Sequence, residues 1–323
     1  MTSVIVKNSD VVLVTGAEGF LGTHVMAELK KERFEHVIGL RHADAELLDY
    51  AEVAETLSDC SPDVIIHLAG IVGGIGANKD NPGQFFFENM QMGLNVVHAA
   101  YRANIKRIIM IGTVCMYARN TPVPFAEEHL WFGYPEETNA PYGIAKRGLI
   151  QMCQSYNDQY GMQNVSLMPT NLFGPKESFN LNNSHVIPSL ICKFSGAIAN
   201  NQSEVILWGS GNVSREFLYV NDCAEAIVKA MRFCENPGPI NLGTGKEITI
   251  KRLALMIADL MNYTGEIIWD TSKPDGQPRR CLKTDKALDF FNWKAKTHFV
   301  TGLVETILWY EEAVNNGSIN NYI

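Results

Sequence analysis

The segment Val11-Val12-Leu13-Val14-Thr15-Gly16-Ala17-Glu18-Gly19-Phe20-Leu21-Gly22 decides the fold class of this chain. Val11–Val14 is apolar throughout and predicts a buried strand, and the apolar spacing over Leu21–Lys31 predicts a helix directly after it. The three glycines between them allow a tight turn, a close approach of the backbone to a phosphate, and close packing of helix on strand. A strand, a glycine turn and a helix in this order indicate the first unit of a nucleotide-binding α/β fold.

The turn itself is predicted to bind the phosphates of a dinucleotide. A helix N-terminus offers free N–H groups and a partial positive charge, and both suit a pyrophosphate. An ordinary turn between strand and helix is the alternative, since glycine patterns of this kind are common. The residues expected against the cofactor here are Gly16, Ala17, Glu18, Gly19, Phe20, Leu21 and Gly22.

The pattern of this first unit continues along the first half of the chain. Runs rich in Val and Ile alternate with helical patterns, which is typical of a parallel sheet covered by helices on both faces. We therefore expect an α/β fold with a doubly wound parallel sheet of the Rossmann type. The predicted strands are His36–Leu40, Asp63–Ala69, Arg107–Gly112 and Val165–Met168, and the predicted helices are Tyr50–Leu57, Phe85–Ala103 and Pro141–Tyr160.

The regular alternation fails after about residue 171, and a chain of 323 residues is long enough for two lobes. Residues 1–175, joined by about 212–242, are predicted to form the dinucleotide-binding domain. Residues from about 176 to 211 and from 243 to 323 are predicted to form a smaller, irregular α/β lobe that binds the substrate.

Composition limits the classes of function. The chain has 27 Lys and Arg against 35 Asp and Glu, and this net charge of −8 argues against non-specific binding to nucleic acid or to anionic membranes. The N-terminal sequence has no signal-peptide pattern, and no apolar run is long enough to cross a bilayer. Seven scattered cysteines without a Cys-x-x-Cys pair predict reduced thiols, no metal site and a cytoplasmic location.

The end of the second strand bears on the choice between NAD and NADP. NAD sites usually place an acidic side chain there for the ribose hydroxyl, but this chain has Gly39-Leu40-Arg41-His42. A guanidinium can pair with a 2′-phosphate through two hydrogen bonds, so Arg41, with His42 beside it, favours NADP. Asp44 nearby leaves NAD open, and an ordinary surface charge is the alternative for Arg41.

Tyr142 and Lys146 are four residues apart and therefore share one face of a predicted helix. A phenol, with a reference pKa near 10, exchanges protons poorly at neutral pH, and a neighbouring ammonium favours its phenolate form. Thr113 directly follows a predicted strand, so its hydroxyl is expected at the carboxyl edge of the sheet, where ligands bind. Together these residues predict a site that acts on a carbonyl group.

The glycine loop, Thr113 and the Tyr142–Lys146 pair resemble the extended short-chain dehydrogenase/reductase family. The similarity runs nearly end to end and is carried further by Ile71–Asn78, Glu88–Met90, Pro169–Pro175, Ser184–Pro188, Trp208–Gly211, Arg215–Phe217 and Ser272–Gly276. Within the family, the chain is similar to enzymes that epimerise GDP-4-keto-6-deoxy-D-mannose at C3 and C5 and then reduce C4 with NADPH to give GDP-L-fucose.

The resemblance implies a role for each residue of the reactive site. Tyr142 would donate a proton to the C4 oxygen with help from Lys146, and Cys115 and His185 would move the protons at C3 and C5. A thiolate and an imidazolium suit that task, because a 4-keto group acidifies the neighbouring C–H bonds. Taken alone, Cys115 fits a small buried hydrophobe equally well, and His185 fits a loop histidine.

The resemblance also implies which residues bind the two nucleotides. Those expected against NADP, besides the glycine loop, are Arg41, His42, Leu68, Ala69, Ile111, Gly112, Lys146, Pro169, Asn171, Leu172 and His185. Those expected against the GDP-sugar are Asn171, Lys193, Trp208, Arg215 and Asp275. The alternatives are core packing for Trp208 and a helix surface charge for Lys193.

Three features depart from the family pattern, one of them the segment Met116-Tyr117-Ala118 after Cys115, which lacks the family's frequent proline. Thr113 stands where Ser is common, and Glu18 adds a negative charge that would repel a 2′-phosphate. Two other functions stay open: action on another GDP-4-keto-sugar, with or without the epimerisation, and redox-silent binding of NADP. The resemblance further implies a homodimer built on the helices Phe85–Ala103 and Pro141–Tyr160, although their apolar stripes also fit packing against the sheet.

Overall fold

The computed structural model of the chain describes residues 5–180, 184–273 and 275–319. Its strands are β1 Val11–Thr15, β2 His36–Leu40, β3 Val64–His67, β4 Arg107–Ile111, β5 Val165–Pro169, β6 Asn171–Phe173, β7 Glu204–Trp208, β8 Ser214–Tyr219, β9 Ile240–Leu242, β10 Glu247–Thr249, β11 Glu266–Asp270 and β12 Arg279–Arg280. Within the described residues, six parallel strands form the central sheet in the order β2-β1-β3-β4-β5-β9. The predicted doubly wound parallel sheet is therefore confirmed.

Helices cover both faces of this sheet. They are α1 Phe20–Lys31, α2 Tyr50–Cys60, α3 Ile75–Asp80, α4 Pro82–Arg102, α5 Ala140–Tyr160, α6 Val186–Ala199, α7 Val220–Phe233, α8 Ile250–Leu260, α9 Asp285–Phe291 and α10 Phe299–Asn315. One face packs against α2, α4 and α5, and the other against α1, α7 and α9. None of the helices in the described ranges combines the length and the apolar character that crossing a bilayer requires.

Burial on both faces explains the continuous apolar runs in the sequence. Successive side chains of a strand point to opposite faces, and here each face carries helices. Ile65 and Ile108 belong to the apolar cluster under α2, α4 and α5, whereas Ile66 and Ile109 belong to the cluster under α1, α7 and α9. The strands β3 and β4 are accordingly buried along their whole length.

The position of a ligand cleft follows from the strand order. The strand β1 has β2 on one side and β3 on the other, so the order of the strands reverses there. The connections after β1 and β3 diverge at such a point and leave a crevice at the carboxyl edge of the sheet. The glycine loop and the segments after β3, β4 and β5 all begin at this edge.

A further apolar cluster lies outside the central sheet. It joins α6, α8 and α10 to residues of β6, β7 and β8. The strand β8 pairs with β6, β10 and β12, and β7 pairs with β11. The helix α9, which lies between α8 and α10 in the chain, packs instead with the central sheet through Ala287 and Phe291. The domain boundaries expected from the sequence stay a prediction.

Element ends differ from the sequence expectations by a few residues. The third strand ends at His67 instead of Ala69, and the helix expected from Phe85 begins at Pro82, a residue suited to a first helical turn. The helix α6 was not among the predicted elements. Its buried residues Ile187, Ile191 and Phe194 do recur at helical spacing, and Pro188 falls in its first turn, where proline is tolerated. Pro274, part of one family-like stretch, lies outside the described residues.

Candidate active site

The glycine loop lies at the switch point, the position where the order of the strands reverses, between β1 and the first turn of α1. Gly16 has a φ of 69°, which favours glycine, and a Cβ on Gly16 would lie 2.8 Å from the backbone nitrogen of Ala69. A Cβ on Gly22 would press on the carbonyl oxygen of Gly16. Gly19 directly precedes α1 and has no side chain that could cap the helix. The N–H groups of the first turn therefore remain available to a ligand. Leu68 and Ala69 are bonded to β1 directly beside this loop.

The basic residues expected at a 2′-phosphate each lie beside an acid. The guanidinium of Arg41 donates to Asp44, with Nη2 2.6 Å from Oδ1 and Nε 2.9 Å from Oδ2. These bonds hold the pKa of Asp44 at about 2, and they raise the pKa of Arg41, to which Glu18 adds a smaller effect. His42 is exposed and lies 4.0 Å from Glu46. The sequence showed Asp44 and Glu18, but not that Arg41 is already paired.

Tyr142 and Lys146 lie in the first turns of α5, at the end of β4. The hydroxyl of Tyr142 forms a hydrogen bond with Thr113. Burial raises the pKa of Tyr142, with a further contribution from Cys115, and burial lowers the pKa of Lys146 to about 8. Desolvation thus favours the neutral form of both groups, and Tyr142 keeps the proton that a general acid must donate.

Asn89 of α4 shapes the wall beside Lys146, and sequence reasoning assigned it no role. Its Nδ2 donates to the carbonyls of Ile71 (3.0 Å) and Phe85 (2.7 Å), and its Oδ1 accepts from the amide of Ile71 (3.2 Å). A Cβ on Gly70 would lie 2.8 Å from Asn89 Oδ1 and 3.4 Å from Lys146 Nζ. Asn89 therefore fixes the segment after β3 against the lysine. The signal available in the sequence was the polar amide of Asn89 within an otherwise apolar helix pattern.

Cys115 lies in a single 3₁₀ turn, Val114–Met116, that packs on the start of α5. Thr113 accepts a hydrogen bond from the Cys115 amide over 3.3 Å, so the residue that bonds Tyr142 also shapes this turn. A Cβ on Gly143 would lie 2.5 Å from the carbonyl oxygen of Cys115, which shows how closely turn and helix approach. The structure therefore brings three of the candidate site residues, Thr113, Cys115 and Tyr142, together.

Arg280 of β12 brings a cation to Cys115 from a distant part of the chain. Its side chain is buried, and its Nη1 donates to Cys115 Sγ over 3.6 Å. Its Nε donates to Gln277 Oε1 over 2.7 Å, and the amide of Gln277 donates to the Arg119 carbonyl over 2.9 Å. A thiolate at Cys115 would therefore have a fixed charged donor beside it. Sequence reasoning missed Arg280, because two adjacent arginines look like surface charge.

His185 directly precedes α6 and is bonded to an acid. Its Nδ1 lies 2.9 Å from Oε1 of Glu177, and the side chains are 47% and 2% exposed, respectively. Burial lowers the pKa of His185, but the bond and charge of Glu177 more than offset this, so the pKa is raised overall. Within the described residues, no hydrogen bond or ion pair joins His185 to Cys115 or Tyr142.

Arg215 of β8 lies next to Arg280 in the register of β8 and β12. Its Nη1 donates to the Ser214 carbonyl over 2.7 Å, and its Nη2 reaches the Asp275 carbonyl over 3.4 Å. Burial, together with the positive charge of Arg280, lowers the pKa of Arg215 to about 10. Two neighbouring guanidiniums form a positive site that suits a diphosphate.

Both carboxylate oxygens of Asp275 accept hydrogen bonds from within the protein. Its Oδ1 accepts from the amide of Ser210 (2.7 Å), and its Oδ2 accepts from the hydroxyl of Ser210 (2.8 Å). Both oxygens thus close the turn after β7, next to Trp208. A direct contact of Asp275 with substrate stays a prediction.

Trp208, at the end of β7, and Lys193 of α6 lie beside this turn. Trp208 is 67% exposed, so core packing, the alternative considered for it, is wrong. The ammonium groups of Lys193 and Lys273 lie 6.0 and 5.4 Å from its ring centre. Lys193 also donates to the Ile206 carbonyl over 2.9 Å, which ties α6 to β7. An exposed indole ring beside two cations suits a flat base attached to phosphates.

The remaining predicted contacts lie where β4, β5 and β6 begin or end. Asn171 Nδ2 donates to the Glu216 carbonyl over 2.8 Å and so joins β6 to β8. Ile111 and Pro169 end β4 and β5 at the carboxyl edge, and Gly112 follows Ile111. Leu172 packs in the sheet's own apolar cluster. Their contacts with a cofactor stay predictions.

Comparison with known proteins extends these observations. The sequence model of the NAD dependent epimerase/dehydratase family matches residues 12–243. The chain is 38% identical over 304 residues to the probable GDP-L-fucose synthase 1 of Oryza sativa subsp. japonica, covering 94% of this chain and 92% of that one. It is 37% identical over 310 residues to the GDP-L-fucose synthase of Escherichia coli (strain K12), covering 93% and 96%.

A solved structure agrees with the sequence relatives. The crystal structure of a GDP-L-fucose synthetase from Naegleria fowleri bound to NADP has a TM-score of 0.88 at 31% identity, and covers 97% of this chain and 96% of that one. The resemblance to the extended short-chain dehydrogenase/reductase enzymes is confirmed. Because the family match spans the glycine loop, the tyrosine–lysine helix and the strand that completes the central sheet, the chain belongs to the NAD dependent epimerase/dehydratase family.

Proposed function

We propose that this chain is a bifunctional sugar-nucleotide enzyme. It epimerises GDP-4-keto-6-deoxy-D-mannose at C3 and C5 and then reduces C4 with NADPH to GDP-L-fucose. The observation that carries this proposal is that two kinds of reactive group have a common neighbour: Thr113 bonds Tyr142 as well as the amide of Cys115, and Cys115 raises the pKa of Tyr142. Hydride transfer needs no thiol beside the tyrosine, whereas moving the protons on the carbons next to the carbonyl needs a base there.

The residues of the switch point fit NADP. At Gly16 and Gly22 a Cβ would collide with neighbouring backbone atoms, so the loop backbone stays uncovered by side chains. Such a loop can bind a diphosphate. Arg41 and His42 would bind the 2′-phosphate, and Lys146 would bind the nicotinamide ribose. When bound there, NADPH supplies the hydride that reduces C4 of the sugar.

In the reduction, Tyr142 donates its phenolic proton to the C4 oxygen as that oxygen gains negative charge. The hydroxyl of Thr113, bonded to Tyr142, shares this oxygen and keeps the phenol oriented. Lys146 stabilises the phenolate that remains, because an ammonium beside it favours the charged form.

In the epimerisation, one proton leaves a carbon from one face and another proton is added on the opposite face. Cys115, as a thiolate, takes the proton from the carbon next to the C4 carbonyl, and the electron pair moves into an enolate whose oxygen is bonded by Tyr142. His185, as an imidazolium, gives its Nε2 proton to the other face of the same carbon. The step leaves a thiol and a neutral imidazole, which exchange protons with water before the second carbon reacts.

The sugar nucleotide would lie along a row of contacts that leads away from Cys115. Arg280 is bonded to Cys115 and neighbours Arg215, which suits a diphosphate next to the sugar. Trp208 and Lys193 would bind the base at the far end. His185, at the start of α6, and Lys193 within it are eight residues apart, about 12 Å along the helix axis, so this one helix would reach from sugar to base.

The test is incubation with GDP-4-keto-6-deoxy-D-mannose and NADPH in D₂O. We expect deuterium at both C3 and C5 of the product together with oxidation of NADPH. Reduction without deuterium would indicate a C4 reductase for a different GDP-4-keto-sugar. Binding of NADPH without oxidation or exchange would indicate the redox-silent protein.

Asp44→Asn is expected to tighten NADPH binding relative to NADH binding. Asp44 holds two donors of Arg41 that a 2′-phosphate would otherwise use. Solvent screening weakens such bonds at this exposed site, so we expect the Kd for NADPH to fall roughly two- to fivefold. The Kd for NADH should change little.

Fluorescence titration of the purified protein with each nucleotide measures both Kd values. Asp59→Asn, which removes the same charge near the other end of α2, is the control and should leave the ratio unchanged. An equal change in both Kd values for Asp44→Asn would contradict this interpretation of Asp44.

The oligomeric state and the compartment belong to the same proposal. A homodimer joined through α4 and α5 is supported by Phe87 and Leu94, which lie seven residues apart on one face of α4 and are 59% and 37% exposed. Sedimentation should give about twice 35.9 kDa at micromolar concentration, and a monomer would refute the dimer. A cytoplasmic location is supported by the seven cysteines, all free thiols.

A further inference from the structure

Glu177 is a buried carboxylate that the steps above do not use. Its side chain is 2% exposed, and its Oε1 lies 2.9 Å from Nδ1 of His185. Its Oε2 is buried and has no hydrogen-bond partner among the described residues. A carboxylate in such a position is costly unless a charged partner compensates it, and His185 is the partner at hand.

We propose that Glu177 is the positioning residue of the epimerisation, which holds the His185 ring with Nε2 free for the sugar and keeps that ring protonated until it delivers its proton. This inference rests on the function proposed above, in which His185 supplies that proton.

The bond to Glu177 decides which nitrogen of His185 is reactive. An imidazolium carries a hydrogen on each nitrogen, and the Nδ1–H donates to Glu177, so the Nε2–H is the one that can leave. After Nε2 has lost its proton, the Nδ1–H bond persists, and the ring stays in the tautomer that is reprotonated at Nε2. Glu177 remains a carboxylate throughout and takes no proton.

The charges of the two residues depend on each other. Burial lowers the pKa of His185, and the bond and negative charge of Glu177 raise it further than burial lowers it. Burial raises the pKa of Glu177, and His185 offsets only part of this rise, so His185 is the group that favours the charged form of Glu177. Among the described residues no other titratable group acts on either pKa, so each charge of the pair is supported by the other.

The backbone next to both residues of the pair is fixed by well-packed neighbouring structure. Phe179, two residues after Glu177, is buried in the cluster of the second lobe, with its ring centre 4.7 Å from that of Tyr310. On the other side, the carbonyl of His185 accepts the first hydrogen bond of α6, from the amide of Ser189 over 3.0 Å. The carboxylate is buried while the His185 side chain is half-exposed, so Glu177 holds the ring from its buried side.

Glu177→Gln tests the proposal, because glutamine keeps an acceptor for Nδ1–H but removes the charge. The readouts are deuterium exchange at C3 and C5 of GDP-4-keto-6-deoxy-D-mannose as a function of pH, and oxidation of GDP-L-fucose by NADP as a measure of hydride transfer alone. Without the carboxylate, the pKa of His185 falls. At pH values above that pKa, each unit by which the pKa falls lowers the protonated fraction of His185 about tenfold.

We therefore expect exchange near pH 8 to slow about tenfold in Glu177→Gln and its alkaline limb to move to lower pH. Hydride transfer and the KM for GDP-L-fucose should stay within about twofold, because Tyr142 and Lys146 are untouched. Glu177→Asp keeps the charge with a shorter reach, so its exchange should be slower with less displacement of the alkaline limb.

Glu127→Gln is the matched control, since Glu127 is also buried and accepts from the amide of Asn241 over 3.0 Å, away from His185. Its pH profile should equal that of the wild type, and thermal unfolding of every variant checks the fold. Wild-type exchange in Glu177→Gln, or in Glu177→Asp if the glutamine variant does not fold, would overturn the proposal, as would an equal loss of hydride transfer. A wild-type protein that exchanges no deuterium would instead overturn the proposed function.

Discussion

Tyr142→Phe is expected to lower the rate of C4 reduction about 10²–10⁴-fold, the contribution typical of a positioned general acid. Phenylalanine fills the same space beside Phe85 but has no proton to donate, and Thr113 loses its hydrogen-bond partner. Exchange of deuterium at C3 and C5 should persist and slow by no more than about tenfold, because the enolate loses one hydrogen bond. Cofactor oxidation measures the first rate, and NMR of the recovered sugar nucleotide measures the second.

Tyr156→Phe is the control for this variant, since Tyr156 lies on the same helix and bonds His98 over 2.9 Å, at the opposite end from the cleft. It should reduce the sugar at the wild-type rate. Undiminished hydride transfer in Tyr142→Phe would exclude Tyr142 as the proton donor.

Lys146 adds a pH dependence to the same reaction. Because burial lowers the pKa of Lys146 to about 8, its ammonium is present below that pH and is lost as the pH rises through it. The phenolate left on Tyr142 then loses its stabilising cation, so the rate of reduction should fall on the alkaline side of about pH 8. Lys146→Met should lower the rate and remove this limb, and a level wild-type profile well above pH 8 would contradict the assignment.

Cys115→Ala is expected to lower deuterium exchange at C3 and C5 about 10²–10⁴-fold, because it removes the base that takes the proton. Oxidation of GDP-L-fucose by NADP should stay within a few fold, since that reaction needs only Tyr142, Thr113 and Lys146. The Cys115→Ser variant keeps the size of the side chain but loses the thiolate, so its exchange should be nearly as slow.

Cys60→Ala is the matched control, because Cys60 is a half-buried free thiol like Cys115 but lies at the end of α2. It should exchange and reduce at wild-type rates. If Cys115→Ala formed the same product from GDP-4-keto-6-deoxy-D-mannose at the wild-type rate, Cys115 would have no part in the epimerisation.

The central sheet was predictable because its signals are local. A buried parallel strand is apolar on both faces, so Val64–His67 and Arg107–Ile111 stand out as continuous runs. The spacing of Tyr142 and Lys146 follows from the pitch of a helix, and Thr113 follows directly from the end of a strand. Each inference uses residues within one element or its immediate neighbour.

The helix α6 and the pairing of Arg41 show where such local signals are weaker. The buried residues of this helix recur at helical spacing, but Pro188 near its start and the polar, turn-forming sequence before it obscured that pattern. Asp44 is only three residues from Arg41, and an acid in a turn after an arginine was a signal that the two could pair. That pair, together with Glu18, leaves less positive charge at the 2′-phosphate site than Arg41 alone suggested.

Local patterns in this chain were enough to predict the doubly wound sheet, the glycine loop, and the tyrosine, lysine and threonine of the candidate site. Cys115 and His185 were predicted only through the family resemblance. The partners that tune those groups depend on the tertiary structure. Arg280 bonds Cys115 from 165 residues away in the chain, and Glu177 bonds His185 from eight residues away. The physical reason is that periodicity is a property of neighbouring residues, whereas the charge of a buried group depends on which distant segments exclude water and which ion they bring with them.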